Sequence, residues 1–182
     1  MTPWRIGLLR GVNIGPHKKA PAADLRALMA EEGLHDGRTL INSGNLVFRD
    51  ARSPTDLEAL LESALARRMK LETVVMVRTG EEWAALVEGN PFAKMARDDP
   101  SHLVLHVLKG EPAPGAVEAI RAGITGPETV ETGSRALYLT YPDGIGRSTL
   151  DPAIFKRATK TTGTARNWNT VLKIAALLAE TP

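Results

Sequence analysis

The chain has 182 residues, a net charge of +2, 43% hydrophobic and 24% charged residues. That length suits one domain or two small ones, at roughly 100–200 residues per domain, and that balance excludes disorder, collagen and coiled coil. With no cysteine, the chain has no disulfide framework, thiolate metal site, iron–sulfur cluster or cysteine nucleophile.

No apolar run approaches the roughly 18 residues of a membrane span, and the opening MTPWRIGLLRGVN lacks the apolar core and cleavage site of a secretory signal. The expected location is the cytoplasm, with no membrane partner. Charge is unevenly spread. Residues 1–20 carry Arg5, Arg10, Lys18 and Lys19 and no acid, and residues 147–182 carry six basic groups against Asp151 and Glu180. The middle is therefore acidic, and two basic ends brought together would attract phosphate or carboxylate.

In chain order, residues 4–10 read as a first strand, followed by a Gly-rich loop from Gly11 to Gly15. Pro21 stands where a first helical residue would, since its missing N–H is not needed there. Leu25, Leu28 and Met29 follow at helical spacing, and Gly33 supplies the helix stop. Residues 38–42 and 46–49 are short strands broken by the turn cluster Ser43-Gly44-Asn45. Ser53 is an N-cap, Pro54 a first residue, and Asp56 favours the helix dipole. Leu57, Leu60, Leu61, Ala64 and Leu65 then form one apolar stripe, and Leu71 to Arg78 is a β-branched strand. The order is βαββαβ, the split βαβ pattern.

The second half nearly repeats it. A helix begins at Glu81, a hinge-like loop covers Arg97-Asp98-Asp99-Pro100-Ser101, and His102 to Lys109 is a strand. Pro114 to Ile124 is a helix, 127–132 and 135–141 are strands, and Pro152 opens a helix to about Lys160. Thr161 to Arg166 is a short last strand, and Trp168, Val171, Leu172, Ala175 and Leu178 mark a final amphipathic helix. The predicted class is α+β: two tandem ferredoxin-like α-β plaits with antiparallel sheets. Their bounds are 1–79 and 80–182, the second carrying an extra helix at each end.

Catalytic templates mostly fail. There is no G-x-x-x-x-G-K-[ST] and no G-x-S-x-G. His102 and His106 on one strand face would lie about 13 Å apart, too far to share a metal easily. No metal site and no cofactor are expected. His17 reads as an exposed loop residue, and Ser43 has no base in its own motif.

Four polar clusters remain: Leu9 to Gly15, Ile41 to Phe48, Tyr141 to Ser148, and Arg166 to Asn169. Free backbone N–H groups at a helix start favour an anion, and a nearby arginine adds a fork of donors; the third and fourth clusters each have both elements. The candidate ligand-binding residues are Arg10, Asn13, Asn42, Ser43, Asn45, Arg147, Ser148, Arg166, Asn167 and Trp168. Against that stands a structural role: the glycines supplying positive φ, the asparagines capping, and Trp168 packing.

The motifs L-R-G-V-N-I-G, I-N-S-G-N-L-V-F and R-N-W-N-T-V, with Asn90-Pro91-Phe92 between them, resemble the domain-of-unknown-function family 1697 over essentially the whole chain. The resemblance implies a pair of ferredoxin-like plaits and carries no activity or catalytic residue with it. The loop here reads Gly-Pro-His-Lys-Lys, where members often have a second glycine and an amide or basic residue, which tells against His17 as a catalytic group.

Three functions follow from these residues. The favoured one is a binding module for an anion, a nucleotide-like molecule or nucleic-acid phosphate, with the four clusters meeting in the cleft between the plaits. Aromatic content of 4% weakens single-strand recognition by stacking. The second is an enzyme on a phosphate- or carboxylate-bearing small molecule, with Asp143 the first candidate base. The third is a structural or interaction protein with no small ligand.

Overall fold

The computed structural model describes residues 2–14, 18–41 and 43–180. The chain divides into two compact units, Met1–Ala84 with Ile174–Pro182, and Ala85–Lys173. Each is built on one four-stranded antiparallel sheet, so the fold is α+β, two tandem ferredoxin-like plaits.

The first unit runs β1 (Trp4–Leu9), α1 (Ala22–Glu31), β2 (His35–Leu40), β3 (Asn45–Arg49), α2 (Pro54–Met69) and β4 (Val75–Thr79), with sheet order β2-β3-β1-β4. Helix α2 starts as its sequence dictates. The Ser53 hydroxyl accepts the Asp56 N–H at 3.1 Å, and Pro54 opens the first turn. It ends on Lys70 in the left-handed region. Leu57, Leu61 and Leu65 of α2 and Leu25, Leu28 and Met29 of α1 pack on Leu46, Phe48, Val75 and Val77 of the sheet. The other face, with Ile6, Leu8, Val47 and Met76, is fully buried as well. Both faces are therefore largely apolar, Asn45 and Arg78 being buried polar exceptions beside Leu8 and Ile6, which is why these strands read as continuous hydrophobic runs rather than alternating ones.

A helix α3 (Gly80–Glu88) crosses the division between the units. The second unit continues α4 (Ala93–Asp98), β5 (Leu103–Leu108), α5 (Ala116–Gly123), β6 (Thr129–Gly133), β7 (Ala136–Thr140), α6 (Ala153–Thr159) and β8 (Gly163–Asn167). Its sheet order is β6-β7-β5-β8. Val104, Leu137 and Leu139 pack with Ile120, Ile154 and Phe155. The last helix, α7 (Trp168–Ala179), begins in the second unit and ends in the first. No helix among the described residues is long and apolar enough to cross a membrane.

Three local expectations are corrected. The stretch read as a hinge-like loop is ordered: Arg97 and Asp98 end α4, and Pro100–His102 form a 3-10 turn. Helix α4 buries no residue, so it has no apolar stripe to betray it; a Lys94–Asp98 pair four residues apart supports it instead. His102 consequently lies outside strand β5, and the strand spacing to His106 does not apply; His106 stacks on Phe155, with ring centroids 4.8 Å apart. Strand β4 begins at Val75 rather than Leu71, whose side chain is buried in the core ahead of it.

Candidate anion-binding site

Two of the four polar clusters meet at one end of the first sheet. The Leu9 N–H donates to the Gly44 carbonyl at 2.9 Å, joining the loop after β1 to the β2–β3 turn. Gly44 has φ +68°, and a Cβ there would lie 2.5 Å from Val12 Cγ2 and 2.8 Å from Leu9 Cβ. Only glycine lets the two loops touch. Arg10 is tied to the start of β4, its N–H donating to the Val74 carbonyl at 3.0 Å and its carbonyl accepting the Thr73 hydroxyl at 2.6 Å.

Two asparagines shape these loops. Asn13, at φ +57°, donates its backbone N–H to the Lys18 carbonyl at 3.0 Å. Its side-chain amide closes on Ala20 from both sides, Nδ2 donating to the Ala20 carbonyl at 3.2 Å and Oδ1 accepting the Ala20 N–H at 2.8 Å. Asn45, 1% exposed, donates through Nδ2 to the Leu40 carbonyl at 2.9 Å and to Ser43 Oγ at 2.8 Å. Both are loop clamps, the side-chain-to-backbone bonding expected of asparagine in turns. Asn42 lies outside the described residues, as do Gly15 and His17.

The clamped loops leave a basic surface. Arg10, Lys18 and Lys19 are exposed. A hollow of about 420 Å³ is lined by Lys18, Lys70, Leu71, Ala66 and Glu72, directly before the Thr73 and Val74 that hold Arg10. Between the left-handed Gly11 and Asn13, the backbone N–H groups of Gly11 and Val12 donate to no acceptor among the described residues. Successive N–H groups in such a bend make an anion-binding concavity. Lys70 and the Gly11–Val12 amides are absent from the sequence-based candidates. Lys70 could have been found as the residue just past a strong helix; the open amides depend on where a distant threonine points.

The other two clusters share one end of the second sheet. The Tyr141 N–H donates to the His102 carbonyl at 2.8 Å, and Asn167 pairs with Val104, so the loop after β7 and the end of β8 both lie at the start of β5. Asn167 caps α7, its Oδ1 accepting the Thr170 N–H at 3.0 Å and the Thr170 hydroxyl at 3.1 Å. Trp168 is buried, its ring 6.3 Å from that of Tyr138. Arg166 is buried and donates to Thr164 Oγ1 at 2.8 Å and to the Ala165 carbonyl at 2.9 Å. Burial pushes its guanidinium down to about 10, which leaves it charged at neutral pH.

Arg147 is exposed at the end of a 3-10 turn, and Ser148 Oγ accepts the Leu150 N–H at 3.2 Å. Asp143 is exposed in the tight turn closed by the Gly144 N–H on the Tyr141 carbonyl at 2.8 Å. A pair that sequence reasoning missed lies at the same end. His102 Nδ1 is 2.5 Å from Asp99 Oδ2, and Ser101 Oγ donates to Asp99 Oδ1 at 2.8 Å. Those bonds hold the Asp99 carboxyl below its usual range, the Ser101 hydrogen bond most. The available signal was Asp99-Pro100, which starts a turn that returns His102 to the carboxylate.

A family model described as "Protein of unknown function (DUF1697)" matches residues 1–138. Among solved structures, the conserved bacterial protein SP0830 from Streptococcus pneumoniae is similar over 98% of this chain and 99% of its own, with a TM-score of 0.77 and 21% identity. That likeness concerns the fold. No curated protein matches the sequence.

Proposed function

The chain belongs to the DUF1697 family, and from the geometry of its first unit we propose that it is a binding module for a phosphate-bearing ligand, a nucleotide-like molecule or a nucleic-acid backbone. The observation that carries this reading is the set of donors at one end of the first sheet. Exposed Arg10 and Lys18 flank the Gly11 and Val12 amides, which are unbonded among the described residues, and Lys70 lines the adjoining hollow. Amides supply directional bonds to phosphate oxygens, arginine a fork of two donors, and lysine a point charge. Among the described residues, Glu72 is the only acid lining that hollow. The reading places the protein in the cytoplasm, where phosphate esters abound. It assigns Asn13, Ser43 and Asn45 to holding the loops, and leaves Arg166, Asn167 and Trp168 to the integrity of the second unit.

Thermal shift tests it, with pyrophosphate, mononucleotides, sugar phosphates and short DNA and RNA at low and high salt. A ligand at 100 times its Kd adds about 2.7 kcal/mol of stability, several degrees in Tm for a chain of this size. Arg10→Ala should remove most of that shift and Arg147→Ala none of it. A small-ligand shift that resists salt indicates a compact site; a shift seen only with oligonucleotides at low salt indicates backbone binding. A shift equal in Arg10→Ala and wild type contradicts the site.

A further inference from the structure

The same two loops carry a feature that phosphate binding does not use. Ile14 is 77% exposed and Ile41 is 50% exposed, whereas Leu9, Val12 and Leu46 beside them are buried. Ile14 follows directly on Asn13, which has φ +57° and whose side chain makes two hydrogen bonds to the Ala20 backbone. Ile41 itself has φ +55°, a conformation that β-branched residues seldom adopt. The buried Asn45 amide, bonded to the Leu40 carbonyl, holds the turn just before it. Both isoleucines thus stand out from clamped loops that Gly44 brings into contact. Exposed Arg10, Lys18 and Lys19 lie in the same loop as Ile14; Lys18 shares its hollow with Lys70 and Glu72, and Lys19 lines another with Arg68, Asp24 and Glu31.

We propose that this end of the first unit docks on an anionic membrane surface, Ile14 and Ile41 entering the apolar edge of the bilayer while Arg10, Lys18 and Lys19 meet lipid phosphates. The proposal rests on the phosphate reading above and names its source as a headgroup. That no helix among the described residues is long and apolar enough to cross a membrane bears on insertion across a bilayer, not on contact with its surface. Isolated apolar tips need no shape complement in a fluid acyl layer, whereas a protein partner must offer each a pocket and nucleic acid must unstack bases to admit them. Lysine and arginine beside such tips are drawn to the negative cytoplasmic leaflet.

Co-sedimentation of the full chain with vesicles tests it, comparing phosphatidylcholine alone with a 3:1 mixture of phosphatidylcholine and phosphatidylglycerol. Pyrophosphate thermal shift is measured on the same proteins. The wild type should bind the anionic vesicles at least fivefold better than the neutral ones. Ile14→Ser/Ile41→Ser should lose at least fivefold of that binding, with unchanged Tm and an intact pyrophosphate shift, since both side chains are exposed. Ile14→Ser alone should fall between.

Undiminished vesicle binding by the double variant overturns the docking. So does a wild type that responds to pyrophosphate but not to vesicles, which leaves the phosphate reading standing. Response to neither probe overturns both. Loss of duplex DNA binding in the double variant, with no vesicle binding in the wild type, reassigns the tips to nucleic acid and overturns the proposal.

Discussion

The two units repeat one another down to single main-chain bonds, and the place where they part is the candidate site. In the first, the Leu9 N–H donates to the Gly44 carbonyl at 2.9 Å and the Arg10 N–H to Val74 at 3.0 Å; in the second, Leu108 donates to Arg135 at 2.8 Å and Lys109 to Thr162 at 2.7 Å. Arg78 lies opposite Ile6 as Arg166 lies opposite Leu105, each a buried arginine one residue before a helix cap. Thr79 accepts the Glu82 N–H at 3.0 Å where Asn167 accepts that of Thr170.

The next residue differs. The Gly110 N–H donates to Thr161 Oγ1 at 3.1 Å, but the matching Thr73 hydroxyl turns to the Arg10 carbonyl, and the Gly11 N–H finds no acceptor among the described residues. The second unit bonds the Gly110 N–H to Thr161 and, further on, that of Ala113 to Thr159, whereas the first leaves the Gly11 N–H open among the described residues; Glu111, like Val12, donates its N–H to no acceptor among them.

The comparison predicts unequal responses to matched substitutions. The largest is at the β2–β3 turn. Gly44→Val combines a forbidden φ with contact on Val12 and Leu9, and should cost about 3 kcal/mol in urea unfolding. Its counterpart Arg135 already sits at φ +45° as a non-glycine, and Arg135→Gly should change stability by less than about 1 kcal/mol. Equal costs would show that the two turns are not equivalent.

Next come the clamps. Asn45→Ala takes a buried amide donor from the Leu40 carbonyl and the Ser43 hydroxyl and should cost about 2 kcal/mol. Asn13→Ala should cost about 1 kcal/mol, with weakened phosphate binding besides. The paired caps follow: Thr79→Ala and Asn167→Ala should each cost about 1 kcal/mol, with Asn167→Asp recovering most of it.

The smallest effect is acid sensitivity. Asp50 is buried, and its carboxyl is held below the usual range chiefly by the Arg52 guanidinium, against the opposing effect of burial. Because the folded-state value is the lower one, this stabilisation is complete above the unfolded value of about 3.9 and disappears as pH falls through the folded value. Asp50→Asn should flatten the stability profile below about pH 4 and leave its slope near neutrality unchanged. An unaltered acid limb would discount the pair.

Much of the scaffold is legible in the sequence, because local chemistry and burial agree there. Ser53-Pro54 and the leucine stripe after them define α2 without help, and Asn167 ahead of Thr170 is recognisable as a cap. Misreadings arise where an element has no stripe or a strand is irregular. Helix α4 buries nothing. Strand β2 starts at His35, earlier than its pattern suggests, because Asp36 at φ +52° breaks the register between His35 and Arg38.

The candidate residues were legible by type but not by role. That Asn13 reaches Ala20, and Asn45 the Leu40 carbonyl, depends on loop closure that no short window contains. The open amides of Gly11 and Val12 are visible only once Thr73 is seen to face the other way, and only exposure separates Ile14 and Ile41 from core residues of the same kind.

The central claim is that the first unit leaves open, among the described residues, the Gly11 donor whose counterpart Gly110 the second unit closes. A titration of the ¹⁵N-labelled protein with pyrophosphate, followed amide by amide, tests it most directly. The Gly11 and Val12 resonances should shift saturably while Gly110 and residues 145–148 stay in place. Shifts at Gly110 or at 145–148, with Gly11 and Val12 unmoved, would contradict it.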